Sequence, residues 1–234
     1  RRFWQASPAR DPFSLIYTSH PSKGLEAALG VLRLLREKDP RYSLHVYGGN
    51  ALWGGADQPP QEEAGFHYYG MVSQRDVAQA LRKASFSLHL QARLEPFALS
   101  LVEALGYGCI PIVSPVGGNR EAVQDGYNGL WVQGDHQDTA THQRAADLIH
   151  KVVHSPDFAA YLRRNAQNIP WTWDNQAKVW VQHWDWYLHQ KGETIQTPRF
   201  RCPACEGKWL LAADGYHCLN CGLPSPDGHR SPGL

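Results

Sequence analysis

The stretch Glu95–Gly118, EPFALSLVEALGYGCIPIVSPVGG, sets a carboxylate beside a proline at the point where a helix is about to start. In the helix that follows, Glu103 is the only ionisable side chain. A helix apolar nearly all round is a buried helix, and an unpaired buried charge is costly. Glu103 therefore needs a donor, from the protein or from a ligand; a Glu that reaches the surface or pairs with an Arg is the plain alternative. Lys23, with Ser19 and Gly24, stands where a loop turns into a helix after an apolar run. A strand's C-terminal end feeding a helix N-terminus is where doubly wound sheets bind phosphate. Lys23 can supply the point charge there, against the plainer reading of a solvated Lys at a helix start. Four of the five cysteines form two knuckles, Cys202-Pro-Ala-Cys205 and Cys218-Leu-Asn-Cys221, with twelve residues between them. Paired thiolates at this spacing suit tetrahedral zinc, and a closed four-ligand site is structural rather than catalytic. Cys109 sits alone in an apolar strand and reads as a small buried hydrophobe.

The elements that must position these groups follow from periodicity. Short apolar or β-branched runs predict strands at Phe13–Thr18, Ser43–Tyr47, His67–Tyr69, Phe86–Leu90, Ile110–Ser114 and Leu130–Val132. Between them, helical spacing appears at Leu25–Leu35, at Ser73–Lys83 with Ser73 as N-cap, at Ala98–Gly106 and at Arg120–Val123. Strands alternating with helices at this spacing mean an α/β fold with a parallel, Rossmann-like sheet and helices on both faces. Asn50–Ala64, rich in Gly, Pro and Gln, reads as a loop, and Gly117-Gly118-Asn119 as a turn. Two amphipathic helices follow, Thr139–His154 and Asp157–Asn168. Trp173–Gln190 is a third, with Ala177, Trp180, Trp184 and Tyr187 on one face, either core or a docking stripe. The organisation expected is a domain over residues 1–190, a polar linker at 191–200, a zinc ribbon at 201–223 and a flexible tail at 224–234.

At 234 residues there is ample length for a core. A net charge of +1, with no Lys/Arg run, argues against general nucleic-acid or membrane-surface binding. No apolar run approaches the ~20 residues that span a bilayer. Reduced thiols holding zinc point to a cytoplasmic setting, with peripheral membrane contact open through a further domain. The chain begins RRFWQ without an initiator Met, and the expectation is a piece of a longer protein.

The strings S-H-P-S-K-G, F-H-Y-Y-G-M-V, E-P-F-A-L-S-L-V-E-A-L-G-Y-G-C-I-P-I-V and V-G-G-N-R-E-A-V-Q-D-G-Y-N-G-L resemble the C-terminal half of retaining glycosyltransferases of the GT-B fold, in the large family four. The resemblance runs from about Phe13 to Leu188. It implies that Glu103 holds the ribose hydroxyls of a nucleotide. It implies that Glu95, with the backbone of Phe97, Ala98 and Leu99, faces the transferred sugar and its phosphate. It also implies that Lys23, beside Ser19 and Gly24, binds the diphosphate, and that Gly70 with the backbone at Met71 and Val72 lies by the base. The physics agrees: the first turn of a helix offers free N–H groups and about half a positive charge to an anion. Many members carry an Arg five residues before the Lys, where this chain has Thr18; Arg93 or Arg120 is the candidate replacement. Ala98 stands where Gly is often found.

The implied function is the donor-binding half of a retaining, metal-independent hexosyltransferase. Its partners would be a UDP-, GDP- or ADP-sugar and an acceptor-binding N-terminal domain, with structural zinc as the only cofactor. The alternative is a non-catalytic nucleotide-sugar-binding or scaffold module that recruits a partner through the zinc ribbon and the Trp-rich helix. A sugar phosphorylase or a nucleotide-sugar epimerase would keep the fold and change the chemistry, though no separate motif marks either.

Overall fold

The computed structural model describes residues 10–56, 59–190, 209–212 and 215–218, the last two as backbone, as are 52, 53 and 190. The first strand, β1 (Asp11–Thr18), is buried from Phe13 to Tyr17. Alternate side chains of a strand face opposite sides, and β1 feeds two cores. Leu15 and Tyr17 pack with α1 (Leu25–Lys38) and α5 (Thr139–Val153), while Ile16 packs on the other face with Leu81, Ala104 and Cys109. A sheet covered on both faces explains why its strands read as continuous apolar runs.

β2 (Ser43–Tyr47), β3 (Phe66–Gly70), β4 (Ala84–His89), β5 (Ile110–Val113) and β6 (Leu130–Trp131) complete a sheet in the order β3-β2-β1-β4-β5-β6. All its pairings are parallel. This is the doubly wound Rossmann order, whose direction of growth reverses between β1 and β4; ligands bind outside the C-terminal strand ends at that switch point. The connections carry α2 (Gln74–Lys83), α3 (Leu99–Gly106) and α4 (Gly118–Ala122), and α6 (Pro156–Gln167) follows α5. As read from sequence, Ser73 caps α2, accepting from the Asp76 N–H.

Two expectations change. Asn50–Ala64 is not wholly irregular, since Asn50–Trp53 forms a single 3-10 turn. The α3 helix is not buried all round: Leu99 is 66% exposed and Glu103 faces solvent, while Leu101, Val102, Ala104 and Leu105 are buried. Cys109 is fully buried, and burial pushes its thiol up to about 11.

The chain divides into two compact units between Thr172 and Trp173. The second holds α7 (Trp173–Gln190), along which the Trp180 and Trp184 rings lie 6.4 Å apart. It also holds an antiparallel hairpin of β7 (Trp209–Ala212) and β8 (Gly215–Cys218). Cys218 ends that hairpin; Cys202, Cys205 and Cys221 lie outside the described residues. Among the described residues no helix is long and apolar enough to cross a membrane.

Candidate functional site

The site is assembled at the β1/β4 switch point. After β1, the Tyr17 hydroxyl donates to the His20 carbonyl at 2.7 Å, and a 3-10 turn over Pro21–Lys23 delivers Lys23. Gly24 closes that turn with φ +105°, and a Cβ there would lie 1.8 Å from the Leu90 carbonyl oxygen. Only glycine lets this turn press onto the end of β4. The Lys-Gly pair is thus a positional device: the glycine permits the close approach that puts the lysine over the strand ends.

Across the switch point, the loop after β4 brings Glu95 to Lys23, and the two form an ion pair. Its anchor is the glycine pair read from sequence as a turn. Gly118 N–H donates to the Glu95 carbonyl at 2.6 Å. A Cβ on Gly117 would come within 2.7 Å of that carbonyl, and one on Gly118 within 2.6 Å of the Pro96 carbonyl. The V-G-G motif therefore supports the E-P-F segment from behind, a role that sequence alone does not disclose.

Two clefts open here. One, of about 450 Å³, is lined by Ser19, Lys23, Arg93, Glu95, Phe97 and Leu99 among others. The α3 helix begins at its wall. Ala98 is the N-cap without a side-chain cap, and no acidic residue lies in the first turn, so the first N–H groups are open to an anion. The second cleft, of about 750 Å³, is lined by Met71, Val72, Arg75, Gln79, Arg82 and Glu103 among others. Thr18 and Gly48 line both clefts, so the two meet at the end of β1.

Among the described residues the Glu103 carboxylate makes no hydrogen bond or ion pair within the chain. It is exposed to the cleft, yet the walls shield it enough that partial burial holds it above the ordinary carboxylate range. The carboxylate seen in the sequence thus finds no donor among the described residues. It faces space instead.

Of the residues singled out from sequence, Ser19, Lys23, Glu95, Phe97 and Leu99 share the smaller cleft, and Met71, Val72 and Glu103 the larger. Gly24 lies beneath the first. Gly70 ends β3 and accepts from the Gly48 N–H at 2.8 Å, tying the base of the second cleft together. Ala98 lines a small space shared with Lys23 and Glu95. Arg93 reaches the Lys23 cleft; Arg120 does not line it and instead holds its guanidinium 5.7 Å from the Trp131 ring centroid. His89 and Gln91, buried behind Glu95, were not singled out, although two polar residues bounding an apolar strand end were a visible signal.

A family model described as glycosyl transferases group 1 matches residues 8–169. The chain belongs to the glycosyl transferases group 1 family. A glycogen synthase of Paracidovorax citrulli is 26% identical over 73% of this chain and 34% of its own length. Among solved structures, the pneumococcal O-GlcNAc transferase GtfA, in complex with UDP and GlcNAc, superposes with TM-score 0.60. It shares 21% identity, over 77% of this chain and 36% of that one. HepE of Anabaena, in complex with UDP-glucose, superposes with TM-score 0.53 at 20% identity, over 66% of this chain and 43% of that one. This group 1 chain therefore has the fold of one half of a GT-B glycosyltransferase, and spans about a third or less of the curated relatives it matches.

Proposed function

We propose that this chain is the donor-binding half of a retaining glycosyltransferase of family four, holding a nucleotide-diphosphate sugar across the two joined clefts. The observation that carries this reading is their arrangement about Thr18 and Gly48. Glu103, a carboxylate with no partner among the described residues, stands in one, and Lys23, Glu95 and the open start of α3 stand in the other. A nucleoside fits the larger, with Glu103 accepting from the vicinal ribose hydroxyls and the base beside Gly70, Met71 and Val72. The diphosphate crosses at Thr18 and Gly48 to Lys23, and the sugar lies by Glu95 and the backbone of Phe97, Ala98 and Leu99.

In transfer, the bond between the anomeric carbon and the phosphate oxygen breaks, and the electron pair leaves with the diphosphate. Fixed N–H dipoles of α3 and the Lys23 ammonium stabilise that developing charge at the moment it forms. No step in this scheme requires a metal ion. Thr18 removes one cation from the phosphate crossing, and Arg93 is placed to supply it. The acceptor is assigned to a separate N-terminal domain, and transfer to the two halves together. UDP is the first nucleotide to try, since solved structures of the same fold contain it. Calorimetric titration with UDP-, GDP- and ADP-glucose should show binding of one of them; binding of none would overturn the reading.

Cys202, Cys205, Cys218 and Cys221 are assigned to one structural zinc on the strength of their spacing. The scaffold reading draws on one observation, the uncharged Thr18 at the meeting of the clefts. It requires a defined partner that Cys202→Ser with Cys205→Ser releases, together with nucleotide binding that Glu103→Ala leaves unchanged.

A further inference from the structure

Behind the Lys23–Glu95 pair the chain buries polar groups that neither the nucleotide nor the sugar would touch. His89 is the last residue of β4 and Gln91 lies two residues beyond; each is 6% exposed. Neither His89 Nε2 nor Gln91 Oε1 has a hydrogen-bond partner among the described residues. Orphaned buried polar atoms are costly, and each calls for an explanation. Both residues line one small space of about 10 Å³, walled also by Tyr17, Ser19, Lys23 and Glu95. That is about the volume of a single water, and the walls offer more than the two polar partners such a water requires.

We propose that His89 and Gln91 form a polar floor that positions the Glu95 carboxylate through this shared space when Lys23 turns to an anionic ligand. Without ligand, Lys23 neutralises Glu95. A diphosphate draws the ammonium away and leaves a carboxylate whose side chain is only 17% exposed. It then needs donors that carry no charge of their own, since a second cation would hold Glu95 away from sugar hydroxyls. Burial lowers His89 to about 4, so the imidazole is neutral at neutral pH. In the tautomer with the proton on Nε2, His89 donates to a water in the space, and that water donates to Glu95 and to Gln91 Oε1. All three groups are then satisfied at once. His89 and Gln91 are positioning residues here. Their effect on the sugar rests on the donor-binding reading, while their coupling to Glu95 does not.

The coupling is read without ligand, on the full ¹⁵N-labelled chain, from the imidazole nitrogen resonances, with His89 assigned by the signal lost in His89→Gln. Glu95→Gln should move the His89 Nε2 resonance, and Glu103→Gln should leave it in place. An unmoved His89 signal in Glu95→Gln overturns the proposal, whether or not the chain binds a nucleotide. The functional arm compares UDP with UDP-glucose, and the GDP and ADP pairs, by calorimetry. His89→Leu and Gln91→Leu should leave UDP affinity within about twofold and weaken UDP-glucose about fivefold, the loss of one net hydrogen bond. His89→Gln, which keeps a donor, should recover most of that. Equal losses for nucleotide and nucleotide sugar would mark a purely structural role and overturn the proposal. If no nucleotide binds the wild-type chain, the donor reading fails and the resonance shift alone decides the coupling.

Discussion

The Lys23 ammonium and the Glu95 carboxylate form an ion pair across the switch point between β1 and β4, each mostly withdrawn from solvent. The two groups assigned to different parts of the donor therefore hold one another in its absence. A diphosphate must compete with Glu95 for Lys23. Removing the competitor should help a ligand that lacks the sugar: Glu95→Gln is expected to tighten UDP binding by a few-fold, the scale of a partly exposed ion pair. Lys23→Met should weaken it about tenfold or more, as for a charge-assisted hydrogen bond. Calorimetry on the two variants checks both, and weaker UDP binding by Glu95→Gln would remove the competition from the account.

Glu103 gives a prediction in pH. Partial burial raises its carboxyl above the ordinary range, so on acidification it takes up its proton earlier than a solvated Glu does. The protonated form accepts fewer hydrogen bonds from a ribose. Nucleotide affinity should therefore fall as pH is lowered, beginning above the usual carboxylate range. Glu103→Gln should bind about tenfold more weakly at neutral pH and lose that part of the pH dependence. An identical pH profile in wild type and variant would take Glu103 off the ribose.

Much of this was legible in the sequence, because the signals were local. Apolar runs gave all six strands of the sheet, and Ser73 and the Lys-Gly pair marked helix starts that the structure retains. What was not legible depends on which strand lies beside which. Gly24 could be read as a turn residue, but its contact with the Leu90 carbonyl requires β1 and β4 to be neighbours. The glycine pair at 117 and 118 likewise looked like punctuation, when it also packs against the Glu95 and Pro96 carbonyls. Glu103 was read as a charge inside a buried helix because periodicity counts apolar residues and cannot see that one flank of α3 borders a cleft. His89 and Gln91 mark the apolar strand's end in the sequence, but that they share one space behind Glu95 depends on how the loop after β4 folds back, which periodicity does not report.

Gly24 itself is testable through stability. In Gly24→Ala the new methyl meets the backbone oxygen of Leu90, the residue that follows β4, and the +105° φ is strained for alanine. A loss of at least about 2 kcal/mol is expected. Gly126 is the control: its φ is +70°, and nothing lies within 4 Å of the added Cβ. Gly126→Ala should cost only about 1 kcal/mol, the backbone penalty alone. Denaturant unfolding of the two variants separates close approach from conformation, and equal losses would mean that the Leu90 contact is not limiting.

His89 ties the buried floor of the site to the stability of the whole unit. Its imidazole is held neutral in the folded chain, with its protonation lowered from 6.5 to about 4 by burial. The unfolded chain takes that proton near 6.5, so between about 4 and 6.5 the unfolded state binds more protons than the native one. Stability then rises with pH across that window and is lost on acidification through it. The interval corresponds to roughly 3 kcal/mol when the window has been fully crossed. His45 and His150 are lowered in the same direction, also chiefly by burial, so the wild-type curve alone does not isolate His89. The difference from His89→Leu does. Thermal melts of both chains should fall together above pH 7 and diverge below it, with the leucine variant keeping more of its stability at pH 4.5. Parallel curves over the whole range would mean that His89 accepts its proton in the folded state, and that burial at the floor beneath Glu95 does not exclude a charge.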